Sequence, residues 1–519
     1  MPRIIKAEKS PGFSTGASSN GLAAILLIGS VSVLAIVLTL RIYTSWKYAD
    51  DLDQVSGIWA AMASDLLHGT FYRPLFSETL GYGGARYFPL HFVLLGALMH
   101  WGNIVSVGHW LDLTVLLLLL CGVYAFLRRY QTPRIYAIAL AMLVPAAKSG
   151  QLPALTIRSD ALPLMFDIWA MVVCLAPEFG WVEVISAAIL FSLAFASKET
   201  ALYALVAVCA AFLLRGRRRD AFRVFWTSLL GFSFVLAAMF LASRGGVFTM
   251  MKHVALEGAS PLSLLASPLA LLAWVRDPGS VALFVLAGAS LLVLPRGRWF
   301  ELPTIFFVLA SAAVGVVLMT PGTTWNHLID VHVAAVCLFG TWLFREKDQK
   351  IYRYGLALLA MAACIAVFPS GLDLRRERAQ QLANKYTEAM VTLEGVDKPI
   401  LAEDAMIPVL AGQRPYIIDA MDIAVVSRKD PSFAEPLEEM LNRQAFGAVV
   451  LQYDQHSEDG QIWYRSWAFG PWFIPALNKN YEFRSAARGL FFYFPRGRSE
   501  ENTQSFLSNP HLAGKGNEQ

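Results

Sequence analysis

Charge is scarce in this chain. Only 16% of its 519 residues are Asp, Glu, Lys or Arg, whereas a soluble globular chain carries about one quarter. The signs nearly cancel, with 43 basic against 39 acidic residues and a formal net charge of +4. There is thus no basic surplus of the kind that binds nucleic acid. Cysteine is also sparse. The five residues Cys121, Cys174, Cys209, Cys337 and Cys364 all fall in apolar stretches, and none forms a C-x-x-C pair. An odd count in that setting argues against a disulfide framework or a zinc site and for small buried apolar residues. No internal repeat is evident.

Apolar sequence is abundant, at 56% of residues with a mean hydropathy of +0.49. It comes in repeated runs of about 17–20 residues, the length that spans a hydrocarbon core of ~30 Å. The class is a polytopic all-α membrane protein. The polar, basic start (MPRIIKAEKS) followed by an apolar run with no small-residue cleavage site reads as a retained first span. Candidate spans cover about residues 21–40, 107–127, 134–150, 161–177, 181–197, 199–215, 225–243, 280–295, 301–320, 331–345 and 353–369.

Basic residues cluster at 128–134, 215–223, 295–298 and 345–353. The positive-inside rule makes all four loops cytoplasmic. Residues 88–102 (FPLHFVLLGALMHWG), short for a span and carrying His91, His100 and Trp101, then form an amphipathic or re-entrant helix on the outer surface. The reading is about eleven transmembrane helices, with the N-terminus inside and everything after residue 370 outside. The outer segments are 41–106, 151–160, the turn at 197–199, 244–279 and 321–330. The expected organisation is a cytoplasmic tail (1–20), a transmembrane domain (21–370) with a large first outer loop (41–106), a small extracytoplasmic α/β domain (371–496), and a disordered end (497–519). In that α/β domain KPILAE, FGAVVLQY, YEFRS and GLFFYF read as strands.

The residues able to do chemistry fall on the expected outer side. Asp50, Asp51 and Asp53 follow the first span. Like charges so close need a cation or a shared proton. One carboxylate suits a general base, and Asp51 with Asp53 offers hard oxygen ligands for Mg²⁺ or Mn²⁺. Capping of the next helix is the plainer alternative for such an Asp. Arg158 and Asp160 precede the apolar ALPLMF, where Asp160 is either a second acid or a helix cap. Asp167 lies two turns further, at a depth where a carboxylate needs a partner. Lys198, beside Glu199, sits between two apolar runs and suits a phosphate or a snorkelling role. Asn326, His327, Asp330 and His332 follow Trp325, and Asn326 and His327 can donate hydrogen bonds to phosphate oxygens. Together these residues fit transfer from a lipid phosphate, with cations for the leaving phosphate and a carboxylate for the attacking hydroxyl.

In this order the motifs resemble the GT-C superfamily of membrane glycosyltransferases, and within it the bacterial family 39 proteins of the dolichyl-phosphate-mannose–protein mannosyltransferase type. Tyr48-Ala49-Asp50-Asp51 resembles the acidic pair after the first span, and SGIWAAMASDLLHGTFYRPLF the helix and turn that follow. ARYFPLHFVLLGALMHWG resembles the surface helix, with Pro89 alone of its two prolines. RSDALPLMF, LAFASKETALYAL and NHLIDVHVAAV resemble the later motifs, and ILAEDAMIPVLAGQRPYIIDAMDI the exterior domain. The resemblance covers about residues 20–490. It implies inverting transfer of a sugar from a polyprenyl-phosphate donor to a glycan, lipid or protein acceptor on the outer face of the bacterial inner membrane. By position it makes Asp51 or Asp50 the base and Asp160 an assistant at the acceptor or metal. Lys198, with Arg158 or His327, would hold the phosphate. A transporter or flippase of a lipid-linked or anionic solute is the rival class, and a sensor whose tail binds a ligand is a third. Against transport, the ionisable residues gather at one face rather than the midplane, and the long first loop has no counterpart in the second half.

Overall fold

The computed structural model describes residues 17–84, 87–255, 261–320, 323–346, 348–380 and 384–497. Most of the tail expected over 1–20, and all but the first residue of the disordered end expected over 497–519, lie outside the described residues. The first helices are α1 (Ala17–Tyr48), α2 (Gln54–Leu67), α3 (Leu90–Leu98), α4 (Ile104–Arg129), α5 (Arg134–Met142) and α6 (Lys148–Leu155). Next come α7 (Ala161–Cys174), α8 (Trp181–Ser197), α9 (Tyr203–Leu214), α10 (Arg218–Ser243), α11 (Gly246–Ala255) and α12 (Pro261–Trp274). The long apolar series closes with α13 (Pro278–Val293), α14 (Leu302–Val317), α15 (Leu328–Leu343) and α16 (Gln349–Gln380).

Five of these helical segments are long and apolar enough to cross a membrane: Gly21–Tyr48, Ile104–Arg129, Arg218–Ser243, Trp325–Leu343 and Gln349–Arg375. A broken pair, Arg134–Ala146 with Lys148–Leu155, bends by 82°. The sequence reads as one straight span there. The turn is that tight because Gly150 has no side chain: a Cβ would sit 2.1 Å from the Val144 carbonyl oxygen. The other expected crossings are apolar helices of 10–17 residues. Leu22, Ile25, Ile36, Leu230, Phe234 and Leu292 are exposed, as side chains solvated by lipid are. The chain is a polytopic helical membrane protein.

One local difference from the sequence reading has a simple cause. The outer stretch expected over 244–279 contains α11, whose apolar residues are interrupted by Thr249 and Lys252, and α12, interrupted by Ser267 and Pro268. The segment 88–102 does form a short helix. At nine residues α3 is only about 14 Å long, too short to cross. It buries His91, Phe92 and Leu95 and leaves Trp101 exposed.

The chain divides into two compact units. The first holds residues 1–52, 87–245 and 255–384. At one end of it the four basic loops come together around Tyr130. Arg345 lies over the Tyr130 ring at 5.8 Å, pairs with Glu301 at 2.5 Å, and accepts from Arg298 at its carbonyl at 2.9 Å. Arg215 is also close to Tyr130.

The second unit holds residues 53–86, 246–254 and 385–519, so the segment after Leu52 folds with the tail. Its four-stranded sheet has the order β3-β4-β6-β5, with β3 (Ile400–Ala402), β4 (Ala448–Leu451), β5 (Tyr481–Ala487) and β6 (Leu490–Pro495). Here β3 and β4 pair in parallel, and the other pairs are antiparallel. All four expected strands are present. A two-stranded ribbon, β1 (Phe76–Ser77) with β2 (Gly81–Tyr82), precedes them. Tyr82 bridges Ile417, and its hydroxyl donates to the Phe433 carbonyl at 2.8 Å. Gly81 is needed at this approach. Its φ is +74°, and a Cβ would meet the Tyr416 carbonyl oxygen at 2.1 Å.

The buried Asp65 of α2 ties the early segment to the tail. It accepts from Arg73 Nη2 at 2.7 Å and Arg414 Nε at 3.1 Å, and Arg73 also donates to the Leu80 and Pro415 carbonyls. Asp65→Ala would leave two arginines without their buried counter-charge, at a cost of roughly 3–5 kcal/mol. We expect faster proteolysis of residues 385–497 in Asp65→Ala than in the parent, with helical content preserved by circular dichroism.

Candidate active site

Three of the four expected stretches meet in the first unit. Asp160 stands at the start of α7 but makes no side-chain capping bond. Its carboxylate serves other partners. Lys198, which ends α8, donates to Asp160 Oδ1 at 3.2 Å. Asn326 Nδ2 donates to both carboxylate oxygens at 3.0 Å. Lys198 Nζ also lies 2.9 Å from His327 Nδ1. An ammonium can only donate there, so the imidazole accepts at Nδ1 and carries its hydrogen on Nε2. The Asp160 and Lys198 side chains are 11% and 15% exposed.

The chain arrives at this point from three directions. The loop 156–160 follows α6, the Lys198 turn follows α8, and a single 3₁₀ turn at Trp325–His327 leads into α15. Burial alone would raise the Asp160 carboxyl. The cationic Lys198 and Arg158, with the Asn326 amide, hold it well below the usual carboxylate range instead. Burial would likewise lower the Lys198 ammonium, and Asp160 and Asp330 beside it hold it above its ordinary value. The pair is therefore fixed as an ion pair. A carboxyl held so low is a poor general base near neutral pH. Its geometry suits the positioning of Lys198 and Asn326.

The acidic stretch after α1 has other partners. Asp50 is exposed. Asp51 faces Arg41 at 3.8 Å. Arg41 also donates to Gln151 Oε1 on α6 and lies 4.0 Å from Asp373. Lys148 lies 3.9 Å from the same Asp373. Ala49, just before the pair, holds a left-handed φ of +58°. That conformation is costly for a residue with a Cβ. It turns the chain sharply off the end of α1.

Asp53 belongs to the second unit. Its Oδ1 accepts from the Val55 and Ser56 amides, both at 3.1 Å, and caps α2. The donors expected at Asp51 and Asp53 do not fit a metal site: one carboxylate faces a guanidinium and the other is spent on a helix end. Among the described residues no group of three or more His, Cys, Asp or Glu side chains is arranged to hold a metal ion.

The buried His91–Asp112 pair escaped the sequence reading. His91 Nε2 lies 2.8 Å from Asp112 Oδ1, and Asp112 Oδ2 accepts from the Arg158 amide at 2.8 Å. Asp112 thus joins α3 and α4 to the loop that carries Asp160. An acid inside an apolar run was the available signal, because such a residue requires a partner. Tyr203 was missed too. It lies beside Asp330, one turn into α15 from Asn326.

No family model matches the chain, and no curated protein matches it. Solved structures do. The oligosaccharyltransferase of Archaeoglobus fulgidus, in its apo form, aligns at 11% identity with a TM-score of 0.54, over 91% of this chain and 75% of that one. ArnT from Cupriavidus metallidurans, bound to undecaprenyl phosphate, aligns at 12% identity with a TM-score of 0.56, over 89% and 97%. The apo state of ArnT aligns with a TM-score of 0.53 at 10% identity, over 89% and 97%. Both proteins are GT-C membrane glycosyltransferases, and the chain has their fold.

The ion pair has a defined pH window. Asp160 is depressed in the folded state, so its contribution is present above the unfolded carboxyl value of about 3.9 and lost as pH falls through the lower folded value. Lys198 is raised, so its contribution is complete below the unfolded value of about 10.4 and lost as pH rises through the folded one. Thermal unfolding of the parent against Asp160→Asn should show a stability gap that is constant across neutral pH and closes only in strong acid or strong base.

Proposed function

We propose, for this chain with the GT-C fold, that it moves a sugar from a polyprenyl-phosphate donor to an acceptor hydroxyl on the extracytoplasmic face of the inner membrane, with inversion at the anomeric carbon. The observation that carries this reading is the partly buried Lys198 ammonium, aligned by Asp160 and His327, in a fold shared with an enzyme solved with undecaprenyl phosphate bound. A phosphate leaving group needs a fixed cation that does not have to reorganise as charge develops.

In this reading the acceptor hydroxyl gives its proton to the Asp51 carboxylate, or to that of its neighbour Asp50. The acceptor oxygen bonds to the anomeric carbon while the bond from that carbon to the phosphate oxygen breaks. The electron pair stays with the polyprenyl phosphate, whose new charge Lys198 and Arg158 offset and the Asn326 amide and His327 Nε2–H can meet by hydrogen bonds. Asp160 keeps the two donors, Lys198 and Asn326, in place. Arg41 lies 3.8 Å from the Asp51 carboxylate. The acceptor is a hydroxyl of a glycan, a lipid or a protein.

Membranes containing the parent or a variant can be assayed with radiolabelled polyprenyl-phosphate sugars. Loss of a general base or of a charge-stabilising donor costs about 10²–10³ in rate. We expect Asp51→Asn, Lys198→Met and Asp160→Asn each to lose activity on that scale, with membrane insertion unchanged. Full activity in all three would reject the site. Lipid or solute flux in proteoliposomes with no sugar transfer would favour a transporter instead.

A further inference from the structure

The reaction above makes no use of the end of the helical unit where the basic loops meet. Two hydrogen-bonding groups there are shielded from solvent and have no partner among the described residues: Arg298 Nη1 and the Tyr130 hydroxyl. Both are held in place. The Arg298 carbonyl accepts from the Glu301 amide and from Thr304 Oγ1, each at 3.1 Å, and its Nη2 donates to the Arg345 carbonyl at 2.9 Å. Arg345 reaches over the Tyr130 ring at 5.8 Å and donates to both carboxylate oxygens of Glu301. Arg298 and Tyr130 thus both lie against Arg345. A donor shielded from water without an acceptor costs stability, and an acceptor from outside the chain would remove that cost.

Negative charge is what this end lacks. Arg129, Arg134, Arg218, Arg219, Arg296 and Arg353 are exposed and form no ion pair among the described residues. The loop between α7 and α8 belongs here too, since Arg217 lies over the Phe179 ring at 5.1 Å and Arg223 over Trp181 at 4.7 Å. Of the acids at this end, Asp220 pairs with Arg217 at 2.8 Å and Arg223 at 3.9 Å, and Glu301 pairs with Arg345. Glu183 and Asp348 cap helix starts, Glu346 accepts from the Asp348 amide, and Glu178 is exposed. Arginines outnumber these acids. Apolar surface adjoins them: Trp299 and Phe300, next to Arg298, are exposed, as are Leu292 and Val293 in the last turn of α13. The missing ligand therefore carries negative charge, accepts hydrogen bonds and has an apolar part. Water lacks the charge, and a small soluble anion lacks the apolar part.

We propose that this end of the helical unit is a site for an anionic phospholipid, whose phosphate takes hydrogen bonds from Arg298 and Tyr130 and whose acyl chains lie against Trp299, Phe300 and the end of α13. A guanidinium matches phosphate oxygens in geometry as well as charge, and a basic pocket between membrane helices suits a lipid headgroup. A phosphodiester offers acceptors and no donor, so both unpartnered groups are satisfied at once. The exposed arginines around the pocket attract anionic lipid to it. Bound lipid also stabilises the folded chain by mass action. The site is distinct from the one at Lys198. Helix α8 runs 17 residues from Trp181 to Ser197, about 25 Å, with the basic end at its start and Lys198 at its close. The lipid site stands whether or not the reading of Lys198 holds.

The test uses the purified full-length protein in detergent micelles, with fluorescent phosphatidylglycerol as the probe. Binding should saturate. Unlabelled phosphatidylglycerol should displace the probe, and phosphatidylcholine and inorganic phosphate should not. Arg298→Gln should weaken the affinity about tenfold, the scale of a hydrogen bond to a charged group, and Tyr130→Phe about threefold. Tyr130→Phe also separates binding from folding. Its hydroxyl has no partner among the described residues, so without lipid the variant should unfold at the same temperature as the parent. A double variant, Arg218→Gln with Arg219→Gln, removes two exposed arginines and should lose less affinity than Arg298→Gln alone. Parental affinity in either Arg298→Gln or Tyr130→Phe would overturn the assignment. Equal displacement by phosphatidylcholine would reject recognition of charge, and displacement by inorganic phosphate would reject a lipid as the occupant. A loss in the double variant as large as in Arg298→Gln would replace the pocket by a diffuse field and sink the proposal.

Discussion

The ion pair between Asp160 and Lys198 is the constraint on which the rest of the helical unit turns. Neither charge can be buried alone, because an unpaired ion in a low-dielectric bundle is costly. Each must therefore find the other, and the two come from separate helix ends. Asn326 then satisfies the remaining acceptor capacity of the carboxylate, and His327 takes a hydrogen bond from the ammonium. Three turns distant in sequence are pinned to one place by a single requirement of charge neutralisation. The His91–Asp112 pair acts one layer out, holding the Arg158 amide and so the loop that carries Asp160.

The opposite kind of constraint organises the basic loops. Arginines at the ends of apolar helices stay hydrated or find carbonyls and rings at the boundary. Here they gather around Tyr130 with Glu301 as the counter-charge. The polar site and the basic loops are thus built from the same physics. Both are places where a mainly apolar chain must accommodate its few charges, one by mutual burial and one by pairing at part-buried helix ends.

Fold and site were legible to different degrees. The apolar runs announced membrane helices, since run length is tied directly to bilayer thickness. The four strands were legible because short β-rich segments stood between turn residues. Asp160, Lys198, Asn326 and His327, which meet in the structure, stand out in the sequence because charged and amide groups at the ends of apolar runs are uncommon. Asp53 carried two readings, metal ligand or helix cap, that the residue type alone does not separate. The structure shows the cap, since Val55 and Ser56 are the amides at that helix start. Asp112 and Tyr203 were overlooked because each lies inside a run whose average hydropathy hides a single polar group. The break between α5 and α6 was missed because close backbone approach at Gly150 leaves no mark in hydropathy.

Composition and pattern alone determined that this chain is a polytopic helical membrane protein, that short strands of a small α/β domain follow, and which polar residues stand at helix ends. Those properties are local, set by run length, turn residues and the cost of desolvating a charge. Only the tertiary structure decided partnership: that Lys198 belongs to Asp160, that Asp51 belongs to Arg41, that residues 53–86 fold with the tail, and that the Asp167 carboxylate finds no hydrogen-bond partner among the described residues. Pairing depends on which helix ends meet. That is settled by packing between segments a hundred or more residues apart, and no stretch of sequence read by itself contains it.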